Sequence, residues 1–351
     1  MSDDLRNSFE SMLTSEPRKV GLSEEGAVRR GWVGDAETPP RLYESSGPDV
    51  DPAGWLDARR DEVAADLARW GAVLLRGFEL PEPQAFEAMV ASCAESLMPY
   101  VERSTPRSEA GGKLMTSTEY PQDQFIPLHN ELSYAHLWPG RIWFYCHTPA
   151  TEGGRTPIAD SRQVYERVPA PVRRRFEERG VTYVRNYGGE VGMSWQEAFQ
   201  TGERSEVEDF CRRGGLRWEW RGDGRLRTRA RRPAVARHPE SGETVWFNQA
   251  NVHHASALDP EVRDELLAQM DESELPFYTV YGDGSPIPDD DVAAVEAAYD
   301  AVQVSFPWRR GDVLLLDNML TAHGRTPYSG PRRILVAMSD PRGDAGGGDA
   351  A

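Results

Sequence analysis

The feature that most constrains the fold is a set of short apolar segments, set off by Gly and Pro, in two separate regions. IPLHNELSY, RIWFYCHT and RTPIAD follow one another between Ile126 and Asp160; VQVSFPW, DVLLLDN and RRILVAM come near the C-terminal end. Segments of this length, rich in β-branched and aromatic residues and bounded by turn formers, predict strands, and their number predicts sheet packed on sheet. Helical periodicity runs from about Trp55 to Trp70 and over PEPQAFEAMVASCAESL, where Phe86, Met89 and Val90 share a face. Between these helices Ala72 to Leu75 reads as a buried strand punctuated by Gly71 and Gly77. Further helices are expected at Ser161 to Arg179, Glu206 to Arg213, Pro260 to Met270 and Asp289 to Val302. Two hairpins are expected, with GDG between RWEWR and RLRTR, and HPESGE between AVAR and TVWFN. The pattern is that of one mixed α/β domain, mainly β, over 61–340. Residues 1–60 are expected to wrap its surface, and the small polar tail 341–351 is expected to be disordered.

Charge narrows the partners. The formal net charge is −17, which disfavours a nucleic-acid backbone or an anionic membrane as the main partner. No apolar run approaches a membrane span and the first residues lack a signal-peptide layout, so a cytoplasmic location is expected. Cys93, Cys146 and Cys211 form no C-x-x-C pair and read as reduced, packed thiols.

His129-Asn130-Glu131 is the most informative short stretch. Residues two apart on a strand share a face, so His129 and Glu131 can converge while Asn130 points away. A third metal ligand must come from elsewhere among seven histidines, and His323, just after DVLLLDN, is well placed at a sheet's mouth. About ten residues on, Arg332 and Arg333 open a strand; they face opposite ways, so one can point inward, where its fork suits a carboxylate. Two histidines, one carboxylate and open positions suit non-haem iron(II).

The segments GAVLLRGF, TSTEYPQDQFIPLHNELSY, WFYCHTPATEGGRTPIADSRQVYE, HPESGETVWFNQAN and FPWRRGDVLLLDNMLTAHGRTPYSGPRRILVAM resemble, in order, the taurine-dioxygenase/TfdA superfamily of iron(II)/2-oxoglutarate oxygenases, in its clavaminate-synthase-like and SyrP-like H-x-E branch. The resemblance implies a distorted double-stranded β-helix, a jelly roll with flanking helices. It also implies iron(II) on His129, Glu131 and His323, with 2-oxoglutarate and O₂ as cosubstrates. Thr156 and Arg333 would hold the distal carboxylate of 2-oxoglutarate. Where taurine-oxidising members carry a sulfonate-binding arginine, four residues after Arg333, stands Ala337, so taurine is not the expected substrate. The expected reaction is hydroxylation of an amino acid or amino-acid-derived unit in specialised metabolism, such as antibiotic biosynthesis; desaturation and cyclisation are the alternatives. Glu131 fills the position that a halide would need.

Other residues keep two readings. Asn248, Gln249 and Arg325 are candidates for substrate contact, or close local turns. His253 and His254 are adjacent, so strand geometry sends them apart and favours structural roles. Nine arginines and two acids between Arg212 and Arg232 give a local charge of +7, which is either a solvated hairpin or a lid or docking surface for an acidic carrier protein. A zinc hydrolase on the same triad would leave Thr156 and the arginine without a task. A non-catalytic jelly-roll binding module would bind no iron.

Overall fold

The computed structural model describes residues 27–47, 50–98, 109–111, 114–116, 120–189 and 191–343. Its spine is the twelve-residue strand Leu137–Thr148, paired antiparallel to Val313–Asp317 on one side and to Arg333–Gly343 on the other. Ala72–Arg76, Arg41–Ser45 and Val28–Trp32 extend this sheet past Val313–Asp317. Leu114–Thr116 and Glu109–Gly111 extend it past Arg333–Gly343, giving eight strands. Within the segment expected to wrap the surface, Val28–Trp32 and Arg41–Ser45 are strands of the main sheet, and within the expected tail Pro341–Gly343 continue its last strand. Residues 1–26 and 344–351, where the remainder of those two expectations falls, lie outside the described residues.

Both faces of the large sheet are buried. Trp143, Tyr145, Val313, Leu315 and Leu335 pack with Leu56, Leu67, Phe86 and Met89 of the helices Pro52–Ala58, Arg60–Trp70 and Pro83–Cys93. Alternate residues Ile142, Phe144, Leu314, Ile334 and Val336 pack inward with Phe306, Trp308 and Ile158. Period-two alternation with a core on each side explains why VLLL and ILVAM are apolar throughout. The N-terminal helical run breaks at Arg59, and the run from Ser161 divides at Val168–Pro169 into Ser161–Arg167 and Ala170–Arg179. VQVSFPW forms no strand beyond a bridge from Val304 to Ile158; its aromatic residues pack against the inner face.

Opposite that face lies a three-stranded sheet, Ile126–His129, Thr321–Arg325 and Ile158–Asp160. A four-stranded sheet, Arg217–Trp220, Leu226–Arg232, Val181–Tyr187 and Phe277–Tyr281, carries the arginine-rich hairpin. Among the described residues no helix is long and apolar enough to cross a membrane.

Candidate active site

His129 and His323 are direct cross-strand partners in the three-stranded sheet, so their side chains rise from one face of neighbouring strands. Their rings stand 4.6 Å apart, centroid to centroid. Gly324, next to His323, passes so close to the neighbouring strand that a Cβ would sit 2.6 Å from the Ile126 carbonyl oxygen. Glu131 lies just past the end of its strand, in the turn 131–134, and not on the strand as the two-residue spacing suggested. Leu132 follows with φ 55°, a conformation that residues other than glycine rarely adopt.

Asn318 fixes that turn. Its Oδ1 accepts from the Glu131 amide at 2.7 Å, and its Nδ2 donates to the Glu131 and Pro139 carbonyls, each at 2.9 Å. The Asn318 carbonyl in turn accepts from Asn130 Nδ2 at 2.7 Å, and the same amide reaches Ser161 Oγ at 3.0 Å. Asn130 thus points away from the pocket, as expected, into a buried clamp. The result is three ligand atoms from His129, Glu131 and His323 that all lie within 4.8 Å of one another, the only such His/Cys/Asp/Glu group among the described residues. His129 Nδ1 lies 2.8 Å from the Pro127 carbonyl, which acts as acceptor and leaves Nε2 as the free donor atom toward the centre. Two nitrogens and one carboxylate on one side of a point fit iron(II).

The same pocket is lined by Thr156, Arg325, Arg332, Phe144 and Val336. Thr156 is buried; its Oγ1 accepts from Trp308 Nε1 at 3.1 Å, which directs the hydroxyl hydrogen elsewhere. The structure separates the two adjacent arginines. Arg333 is exposed, whereas Arg332 lies on the pocket wall with Val336 and donates from Nε to the Gly154 carbonyl at 3.0 Å. Arg332 stands just before the strand Arg333–Gly343, whose pairing with Leu137–Thr148 shifts register between Arg333 and Ile334, and it reaches the inner side that Ile334 and Val336 face. Burial, reinforced by nearby Arg325, pushes the Arg332 guanidinium down to about 10, so an anion beside it would be held strongly. Four residues beyond Arg332 the pocket shows Val336, while Ala337 turns to the helix-covered side. The position remains apolar.

Arg325 is where a pocket residue should be, but its Nη atoms are spent on the carbonyls of Tyr120, Pro121 and Gln124. Asn248 and Gln249 do not line the pocket. Asn248 donates to the Ala234 carbonyl at 2.8 Å and accepts from the Ala250 amide at 3.0 Å, so it closes a turn. Gln249 Nε2 donates to the Asn130 carbonyl at 2.7 Å and so braces the segment between the two ligands. His254 bonds Ser256 and the Ile287 carbonyl, and His253 stacks on Phe277; both are structural. Asn318 and Trp308 were missed by sequence reasoning, since neither has a spacing signal. Cys93, Cys146 and Cys211 form no disulfide, and the last two are buried.

Residues 37–338 match the model of the taurine catabolism dioxygenase TauD, TfdA family. The chain is 42% identical over 281 residues to the dapdiamide synthesis protein DdaC of Enterobacter agglomerans, covering 80% of this chain and 84% of that protein. It is 33% identical over 279 residues to a clavaminate synthase-like protein of Arabidopsis thaliana, covering 76% and 81%. Among solved structures, PvcB of Pseudomonas aeruginosa aligns with a TM-score of 0.53 at 16% identity, over 92% of this chain and 94% of that one. A taurine dioxygenase from Burkholderia xenovorans aligns with a TM-score of 0.50 at 17% identity, over 91% and 92%. At such identities the structural likeness speaks to the fold alone. The family match over most of the chain joins the ligand geometry in one conclusion: the chain belongs to the TauD/TfdA family and is an iron(II)/2-oxoglutarate-dependent dioxygenase.

Proposed function

We propose that this enzyme hydroxylates an unactivated C–H bond of an amino acid or amino-acid-derived substrate in specialised metabolism. The observation that carries the reading is the single pocket in which His129, Glu131 and His323 meet Thr156 and Arg332. Its eight-stranded and three-stranded walls suit a distorted double-stranded β-helix. The likeness to a protein named for dapdiamide synthesis supports a biosynthetic role.

The three ligands would hold iron(II), which with 2-oxoglutarate and O₂ supplies an oxidant strong enough to take hydrogen from an unactivated carbon, leaving succinate and CO₂. Arg332 and the Thr156 hydroxyl are assigned to the distal carboxylate of 2-oxoglutarate, a role moved from Arg333 on the evidence of burial. A guanidinium in a dry site grips a carboxylate more strongly than in water. Phe144 and Val336 keep that end of the pocket apolar and exclude water. Arg325 is assigned to holding Tyr120, Pro121 and Gln124 over the pocket edge.

The test is substrate-stimulated succinate production, screened over free amino acids and the same units tethered to a carrier protein, with product masses read in parallel. Hydroxylation predicts a product heavier by one oxygen. A product lighter by two hydrogens would replace hydroxylation by desaturation or cyclisation, and stimulation by no member of the panel would refute the substrate class.

A further inference from the structure

A second cavity, of about 610 Å³, shares no lining residue with the metal pocket. Its volume is in the range of small-molecule sites. The floor includes Ser133 and Ala135, beyond Glu131 in the chain, and Met319, next to Asn318. The cavity therefore sits behind the turn that presents the carboxylate ligand.

Its chemistry is one-sided. Trp138, Phe247 and Met319 supply apolar wall, and the polar side chains on the lining are Ser133, Arg232, Arg237 and Arg342. Among the described residues no carboxylate lines it, in a chain whose formal charge is −17. An indole N–H and three guanidinium groups can only donate. Arg232 is held by the Tyr134 and Gly214 carbonyls and Arg342 by Glu240, while Arg237 is exposed at the rim.

We propose that this cavity binds an organic anion with an apolar body, such as a carboxylate on an aliphatic or aromatic chain, at a site separate from the reacting pocket. The apolar body would lie on Trp138 and Phe247, and the carboxylate would pair with the Arg237 guanidinium at the rim.

Binding is tested on the full chain with anilinonaphthalene sulfonate, a fluorescent aromatic anion, and by its displacement with octanoate and with octanol. One saturable site is expected, with octanoate displacing the probe at concentrations about tenfold or more below octanol. Arg237→Glu, at the exposed rim, should weaken the probe by a similar factor. Ala236→Trp, which fills the cavity, should abolish the site in a protein whose circular dichroism matches the parent. 2-Oxoglutarate with Mn(II), which enters the other pocket, should leave the signal unchanged. Equal displacement by octanol and octanoate, full binding by folded Ala236→Trp and Arg237→Glu, or loss of signal with 2-oxoglutarate and Mn(II) would each overturn the proposal.

Discussion

The metal pocket and the arginine-rich sheet are the two places where this acidic chain concentrates unusual charge, and they are fixed by different means. In the pocket the partners come from far along the chain: Asn318 clamps Glu131, His323 lies opposite His129, and Trp308 donates to Thr156. In and beside the sheet the partners lie nearer along the chain, and two arginines share one acid. Arg227 bonds Asn186, Ser273 and Glu274, and Arg221 shares Glu274, while Arg212 meets Asp209 one helical turn away. Arg217 and Arg229, both exposed, stand opposite each other across two strands, a like-charge pair that costs stability. A buried network that crosses the chain sets geometry, whereas an exposed row of one sign sets a field.

The contrast breaks most sharply at the ligands. Glu131→Ala or His129→Ala should reduce iron-dependent succinate formation to background while the protein stays soluble. Activity near the parental level in Glu131→Ala would remove the triad assignment.

Next in size is the cosubstrate anchor. A charge-assisted bond in a dry site is worth about 1.5–3 kcal/mol, so Arg332→Leu should raise the apparent 2-oxoglutarate constant by about ten- to hundredfold. Arg333→Leu should leave it nearly unchanged, and the reverse pattern would restore the sequence reading.

The clamp should matter less than the ligands it holds. Asn318→Ala should weaken iron binding by about tenfold, the usual scale for residues that orient a ligand, and lower thermal stability, because the buried Glu131 amide loses its acceptor. Thermal unfolding with and without iron separates the two effects. A stability loss with no change in iron affinity would make Asn318 purely structural.

The smallest effect is expected in the sheet. If an acidic carrier protein delivers the substrate, charge reversal at Arg217, Arg225 and Arg229 should slow turnover of the tethered substrate, and more so at low salt. The free substrate should be unaffected. Arg227 is excluded from this set because it is buried on Glu274. Equal loss for both substrates would make the sheet a lid, and no loss would leave a solvated hairpin.

Much of the molecule was legible in the sequence wherever one physical rule acted alone. The helix Asp289–Val302 and both hairpins followed from periodicity and turn residues. The triad followed from residue chemistry and the family resemblance. The choice between Arg332 and Arg333 was not legible for a specific reason: ILVAM is buried on both faces, so its sequence has no polar alternation to show which parity looks inward. VQVSFPW misled in a related way, since its apolar residues serve packing and not strand pairing. Asn248 and Gln249 sat beside the right segment, but only tertiary contacts could show their side chains bonded to the Ala234 and Asn130 carbonyls. Strands Val181–Tyr187 and Phe277–Tyr281 were not anticipated, and without them the arginine hairpin could not be placed in a sheet.

The most direct measurement is an anaerobic titration of iron(II) into the full chain with 2-oxoglutarate present, followed by the visible charge-transfer absorption of the iron–2-oxo acid chelate. One iron per chain should bind with that band, His323→Ala should show neither, and Arg332→Leu should recover the band only at higher 2-oxoglutarate. Parental iron affinity and the same band in His323→Ala would contradict the assignment of His129, Glu131 and His323 as one metal centre.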